Sequence, residues 1–237
     1  MKVKLLTFDL DNTLWETDSV IVKAEQATVD WIDEHVPAAA HHYNLETLRE
    51  IKKHLAENRP DIRHKLTTLR TEMLHQVFLR SGLDESEARE KADQAFAAFL
   101  KVRNQVELFD GAREALEELT KSYQLIALSN GNSDLRAIGL DHLFSHHFNA
   151  DQVAKPKPHP DMFEAALAAA EVSAHETIHI GDHQQQDVLA AHQLGMKTIW
   201  ANMNEQTWQE AGCQPGMIIT QLSQLPTAIQ SLSESEA

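Results

Sequence analysis

The rhythm of apolar and polar positions changes twice along the chain. Residues 4–8, Lys-Leu-Leu-Thr-Phe, are a short apolar run that reads as a buried strand ending at Asp9. From about Glu16 to Asn104 the period lengthens to that of helix. Val20, Ala24, Ala27, Trp31 and Ile32 share one face, and Leu45, Leu48, Ile51, Lys52 and Leu55 recur on a second segment. Leu66, Leu69, Met73, Leu74, Val77 and Phe78 form a third, closed by Gly82, and Ala88, Ala92, Ala95, Phe96 and Phe99 a fourth. After Phe109-Asp110-Gly111 helices and strands alternate. Helices are expected over 111–121, 160–171 and 185–194, and strands over 124–128, 177–180 and 197–200. An edge strand at 217–219 and a final helix from Leu222 to Leu232 follow. The Ser-Glu-rich tail after Ser233 is expected to fray.

Alternation of strand and helix predicts an α/β fold with a parallel sheet and right-handed crossovers. The helical stretch interrupts it after the first strand. The expected organisation is therefore a Rossmann-like core, residues 1–15 and 105–237, with an inserted helical cap at 16–104.

Composition narrows the function. Acidic residues outnumber basic ones 36 to 21 among 237, for a formal charge of −15, so a nucleic-acid polymer is not the expected partner. A small phosphorylated metabolite remains compatible, because a metal ion and one lysine reverse the field inside a pocket. No apolar run approaches the roughly 18 residues of a membrane span, and the N-terminus lacks a signal peptide's long apolar stretch. The single cysteine, Cys213, forms no internal disulfide and fits a reducing compartment. A cytoplasmic location is the expectation; the sequence does not set the oligomeric state.

Candidate chemistry gathers at predicted strand ends, where open α/β sheets bind ligands. The first strand ends at Asp9, with Asp11 two residues on; the next ends at Ser129-Asn130-Gly131; a third ends at Gly181-Asp182, with Asp187 after it. Between the last two lies the loop Ala154-Lys155-Pro156-Lys157-Pro158. If the strands are neighbours, four carboxylates converge with a serine and a lysine. Such a cluster repels itself unless a cation intervenes, and magnesium suits carboxylate oxygens beside a phosphate. Ordinary roles compete: Asp9 and Asp11 could cap a turn, Ser129-Asn130-Gly131 could be one, and Asp187 could cap the next helix. The four-residue spacing of His175, His179 and His183 would suit a metal on a helix, but the segment reads as strand, where it does not converge. His41-His42 and His146-His147 read as surface. Trp15 either lines an entrance or packs, and Arg63, His64 and Arg70 read as a solvated helix face.

Taken in order, Asp9-Leu10-Asp11-Asn12-Thr13, Ser129-Asn130-Gly131, Lys157-Pro158 and Gly181-Asp182-His183-Gln184-Gln185-Gln186-Asp187 resemble the four motifs of the haloacid dehalogenase-like hydrolases, and the helical insert resembles that superfamily's C1 cap. The resemblance implies a magnesium-dependent phosphatase. In it Asp9 is the nucleophile that forms an aspartyl-phosphate, and Asp11 the acid and then the base. Asp9, the Asp11 carbonyl, Asp182 and Asp187 surround magnesium, and Ser129, the Asn130 amide and Lys157 bind the phosphoryl oxygens. The cap is expected to close and exclude water. Lys157 matches the motif's spacing to the following helix; Lys155 is the alternative. The presence of Asp11 favours phosphatase over dehalogenase, because a halide leaves without an acid. A phosphomutase of the same fold and a non-catalytic ligand-binding protein are the other rivals. Thr7 through Leu14, Ser129 through Asn132, His64 through Thr67 and Arg70 resemble more narrowly a bacterial branch acting on flavin mononucleotide and a ribitylaminouracil phosphate, although that branch often carries one Lys-Pro where this chain has two.

Overall fold

In the computed structural model residues 2–234 are described, so the tail expected to fray lies largely outside the described residues. The chain divides into two compact units, one of residues 2–17 and 107–234 and one of Asp18–Val106.

The first unit is built on six parallel strands: β1 (Leu5–Phe8), β2 (Gln124–Ser129), β3 (His146–Asn149), β4 (Thr177–Gly181), β5 (Lys197–Ala201) and β6 (Met217–Ile219). Their order is β3-β2-β1-β4-β5-β6. All four residues of β1 and all five of β4 are buried, so neither strand has a solvent face, and the polar Thr7, Thr177 and His179 are buried with their apolar neighbours. Phe8 lies level with Ala127 on one side and with Ile180 on the other. The register therefore brings Asp9, Ser129 and Asp182 to one edge of the sheet. The chain reverses its direction of travel across the sheet at β1, and the crevice between β1 and β4 is where such sheets bind ligands.

β3 is a departure from the expectation that His146 and His147 lie on an irregular surface segment. They belong to the outermost strand, paired with Ile126 and Ala127. His146 is exposed there and His147 half-buried.

Helices cover the sheet. The helix that follows the lysine loop (Asp161–Ala170) buries Met162, Phe163 and Ala166 in one cluster with Leu5, Ile126, Leu128, Ala190, Ala191 and Met196. Residues Ala112–Leu119 bury Ala112, Ala115, Leu116 and Leu119, the spacing of a single helical stripe. Leu225–Glu234 forms the last helix.

The second unit holds four helices, α1 (Asp18–His35), α2 (Leu45–Asn58), α3 (Leu66–Arg80) and α4 (Glu85–Arg103). Asn44 and Asp84 accept the Thr47 and Glu87 backbone N–H groups and so cap α2 and α4. Their apolar stripes share one core, including Ala24 and Ile32 of α1, Ile51 and Leu55 of α2, Val77 and Phe78 of α3, and Ala92 and Phe99 of α4. Arg70, expected on a solvated face, instead pairs with Glu25 and lies 4.0 Å over the Phe99 ring. Among the described residues no helix is long and apolar enough to cross a membrane.

Phe8 is fully buried and meets Phe144 edge-on. Phe8→Ala is expected to cost the sheet-bearing unit about 3–5 kcal/mol, read by urea denaturation; a loss below about 1 kcal/mol would mean that β1 is not the centre of that core.

Candidate active site

Asp9 continues β1 by one residue, its N–H donating to the Ile180 carbonyl at 2.8 Å. The chain then winds tightly back. Asn12 adopts the left-handed conformation (φ 61°), which asparagine tolerates better than most residues. The Asn12 N–H donates to the Trp15 carbonyl, and its side-chain oxygen accepts the Thr17 N–H at 2.9 Å. This winding places Thr13 beneath Asp9. The Thr13 hydroxyl donates to Asp9 Oδ2 at 3.0 Å and accepts the Asp182 N–H at 3.0 Å, joining the ends of β1 and β4 through one side chain.

Lys157 lies at the centre. Its side chain is 1% exposed, and its ammonium donates to Asp9 Oδ1 at 2.7 Å and to Asp187 Oδ1 at 2.6 Å. Lys155 is exposed. Asn130 fixes the lysine's backbone from both sides: its amide donates to the Lys157 carbonyl at 2.8 Å, and its oxygen accepts the Lys157 N–H at 2.9 Å. The same amide reaches Gln186 Oε1. Ser129 is buried at the end of β2, its Oγ accepting the Gly131 N–H at 2.9 Å.

Asp187 is delivered by a π-helical turn, Gln184–Leu189, in which the Val188 N–H reaches back five residues to the His183 carbonyl. His183, rather than Asp187, caps that turn, with Nδ1 accepting the Gln185 and Gln186 N–H groups. The Asp187 carboxylate turns back to the sheet, where Oδ2 accepts the His183 N–H and Oδ1 contacts His179 Nε2 at 3.1 Å. It occupies the space beside Gly181 so closely that a Cβ there would lie 2.4 Å from Asp187 Cγ. Only glycine fits at that position.

Asp11 stands apart. Its Oδ1 accepts the Trp15 indole N–H at 3.0 Å and the Thr17 hydroxyl at 2.9 Å. Trp15 is fully buried, so of its two readings packing fits, with the indole nitrogen turned to Asp11.

Carboxylate oxygens of Asp9, Asp182 and Asp187 lie within 4.8 Å of one another. The electrostatics follow from that crowding. Burial, followed by the neighbouring Asp187 and Asp11, pushes the Asp9 carboxyl up to about 7 despite Lys157. Burial and then Asp9 and Asp187 push Asp182 up to about 8. Burial also opposes charge on Asp187, but Lys157 and His179 outweigh it and hold its carboxyl below the usual range. Lys157 is held above the usual lysine range because Asp187 and Asp9 outweigh its burial. Three carboxylates face one ammonium, a deficit that a divalent cation with hard oxygen ligands would relieve. A polar cavity of about 700 Å³ opens beside Asp182, lined by Gln184, Gln206, Thr207, Gln209 and Glu210.

Sequence reasoning named the residues at the strand ends but assigned no part to Thr13, His179 or the Asn130 side chain. Thr13 was visible as the last residue of the first motif. His179 carried only a spacing that would suit a metal on a helix and does not converge on a strand, and it pointed to nothing else; its Nδ1 contacts the Thr7 hydroxyl at 2.9 Å.

The profile of the haloacid dehalogenase-like hydrolases matches residues 3–195. The chain is 30% identical over 232 residues to 5-amino-6-(5-phospho-D-ribitylamino)uracil phosphatase YigB of Escherichia coli strain K12, covering 96% of this chain and 97% of that protein. It is 27% identical over 206 residues to glyceraldehyde 3-phosphate phosphatase of Pyrococcus furiosus, covering 84% and 80%. The crystal structure of 2-haloacid dehalogenase from Pseudomonas syringae pv. tomato DC3000 aligns with a TM-score of 0.93 at 37% identity, over 97% of this chain and 99% of that one. With strand ends, motifs and full-length similarity in agreement, this chain belongs to the haloacid dehalogenase-like hydrolase family.

Proposed function

We propose that the protein is a magnesium-dependent phosphatase of small phosphate monoesters, acting through an aspartyl-phosphate on Asp9. The observation that carries this reading is the buried Lys157 ammonium, held at 2.7 Å from Asp9 within a three-carboxylate cluster. A buried cation beside a nucleophilic oxygen suits a reaction in which a dianionic group must approach a carboxylate.

Asp9, Asp182, the Asp11 carbonyl and, directly or through water, Asp187 would hold magnesium, which supplies positive charge to the phosphoryl oxygens when bound. Asp9 attacks phosphorus, the bond to the leaving oxygen breaks, and Asp11 gives that oxygen a proton. Asp11 then takes a proton from the water that cleaves the acyl phosphate, returning Asp9 and releasing inorganic phosphate. Lys157, the Ser129 hydroxyl and the Asn130 N–H bind the phosphoryl oxygens. Trp15 and Thr17 fix the orientation of Asp11, so the acid does not have to be found by side-chain rotation.

The name of the YigB relative supports a phosphoribitylaminouracil as the substrate, and flavin mononucleotide is the further candidate that the sequence resemblance implies. The formal charge of −15 fits a small metabolite rather than a nucleic-acid polymer. Lack of a long apolar helix among the described residues and a single cysteine fit action in the cytoplasm. A second reading, 2-haloacid dehalogenase, is favoured by the name of the Pseudomonas syringae structure; halide release from a 2-haloacid without magnesium would establish it.

Asp9→Asn is expected to abolish hydrolysis of p-nitrophenyl phosphate with the fold intact by circular dichroism; retained turnover removes Asp9 as nucleophile. Asp11→Asn is expected to slow alkyl phosphates by about 10²–10⁴-fold and aryl phosphates less, because a phenolate needs the proton less. A loss that is the same for every leaving group would sink the acid role.

The raised carboxyls set a pH dependence. Asp9 and Asp182 bind protons more tightly folded, at about 7 and about 8, than at their ordinary 3.8. Their contribution to metal-free stability is therefore complete below about pH 4 and lost as pH rises through about 7 and 8. Asp187, held low, acts in the opposite sense and only below this window. Magnesium requires the deprotonated carboxylates. The rise in thermal midpoint on adding magnesium is therefore expected to be larger near pH 8.5 than near pH 6 (both about); an equal rise at both, by scanning fluorimetry, contradicts the cluster as the metal site.

A further inference from the structure

We propose that His179 is a positioning residue of this same site, holding Asp187 so that Asp187 in turn keeps the Lys157 ammonium at Asp9; the inference rests on the phosphatase reading above. His179 is the third residue of β4, 1% exposed, level with Thr7 of β1. A fully buried strand is most cheaply filled by aliphatic side chains, and an imidazole there needs partners for both nitrogens. It has them. Nδ1 meets the Thr7 hydroxyl at 2.9 Å and Nε2 meets Asp187 Oδ1 at 3.1 Å.

Because a carboxylate only accepts, Nε2 carries the proton and donates it, and Nδ1 accepts from Thr7. The tautomer is thus set by its two neighbours. Phe163 packs edge-on against the ring at 5.0 Å and limits its tilt. The result is one continuous line of contacts: Thr7, His179, Asp187, Lys157, Asp9.

Asp187 Oδ1 receives both the imidazole N–H and the lysine ammonium, while Oδ2 receives the His183 N–H. Without the imidazole, two directions still restrain that carboxylate, but nothing resists its Oδ1 swinging with the long lysine side chain. His179 makes Asp187 a fixed post, and the lysine inherits the precision. Partners one step behind a reacting group commonly change activity by about 10–100-fold.

Two variants separate this from a role in pinning β1 to β4. In His179→Gln the amide nitrogen takes the place of Nε2 and can still donate to Asp187. In His179→Asn the amide oxygen takes the place of Nδ1 and accepts from Thr7 alone, with no donor reaching Asp187. Each is assayed with p-nitrophenyl phosphate and saturating magnesium, alongside thermal midpoint, magnesium half-saturation and calorimetric binding of inorganic phosphate. His179→Asn is expected to lose about 10–100-fold in kcat and to bind phosphate more weakly, with magnesium half-saturation unchanged. His179→Gln is expected to recover most of both losses. Equal losses in the two variants, no loss in His179→Asn, or recovery of His179→Asn by excess magnesium would each overturn the inference. If the wild-type protein hydrolyses no aryl phosphate, the phosphatase reading falls instead, and phosphate binding by the two variants still reports on His179.

Discussion

Lys157 is the point on which the site turns, because its ammonium is buried among groups that would not otherwise sit together. A charge taken out of water needs charged partners, and this one has two, Asp9 and Asp187, at 2.7 and 2.6 Å. The lysine in turn is what lets those carboxylates be buried. Yet one ammonium cannot satisfy three acids. Asp182 is left with Asp9 and Asp187 as neighbours, and burial and those neighbours raise its proton affinity. On the proposed reading this remaining imbalance is the driving force for metal binding. The protein alone would rather hold protons at Asp9 and Asp182 near neutral pH, and a divalent ion exchanges those protons for a charge that leaves Asp9 ionised and able to attack.

The scaffold meets this demand with strand register and a few supporting side chains. Parallel register carries Asp9 and Asp182 to one edge, and the Thr13 hydroxyl joins them. Trp200, on β5, donates its indole N–H to the Asp182 carbonyl at 2.7 Å and holds that backbone from the far side. The widened turn at Gln184–Leu189 then brings Asp187 back over Gly181, a return that an additional Cβ would block. An ordinary helical turn would carry the 187 side chain around the helix axis by a different angle, so the local irregularity and the reach of the carboxylate are one feature.

How much of this could be read from residues alone depended on whether the signal was periodic. β1, β2 and β5 are largely apolar runs, β4 sets Ile178 and Ile180 between polar residues, and the α/β class follows from the alternation of these strands with helices. β3 escaped because His146-His147-Phe148-Asn149 lies at the sheet's edge, where one neighbour suffices and no apolar run is required. The π turn escaped because Gln184-Gln185-Gln186-Asp187 has no apolar stripe from which to count. Within the site, the ends of strands were legible, since a polar residue after a buried run is conspicuous. The choice of Lys157 over Lys155 was legible only through its spacing to the following helix, and the fold turns that lysine inward. Pairings such as Trp15 with Asp11, or His179 with Asp187, join residues through side-chain direction, which a linear pattern does not encode.

Similarity of fold leaves the reaction open. A chain aligning at a TM-score of 0.93 with a structure named as a dehalogenase shares its fold over nearly the whole length of both chains. What separates the two chemistries is the leaving group. A halide departs as a weak base and asks nothing of the protein, whereas an alkoxide departing from phosphorus is a strong base and needs a proton as the bond breaks. After burial and Asp187, Asp11 adds a smaller contribution to the raised proton affinity of Asp9, which works against an attacking carboxylate. For halide displacement that repulsion would bring no return. Here the opposing carboxylate, Asp11, is gripped on Oδ1 by both an indole N–H and a threonine hydroxyl, two donors committed to its orientation. On the proposed reading that grip orients Asp11 to deliver the proton an alkoxide needs, so that one side chain, rather than the fold, separates the two chemistries.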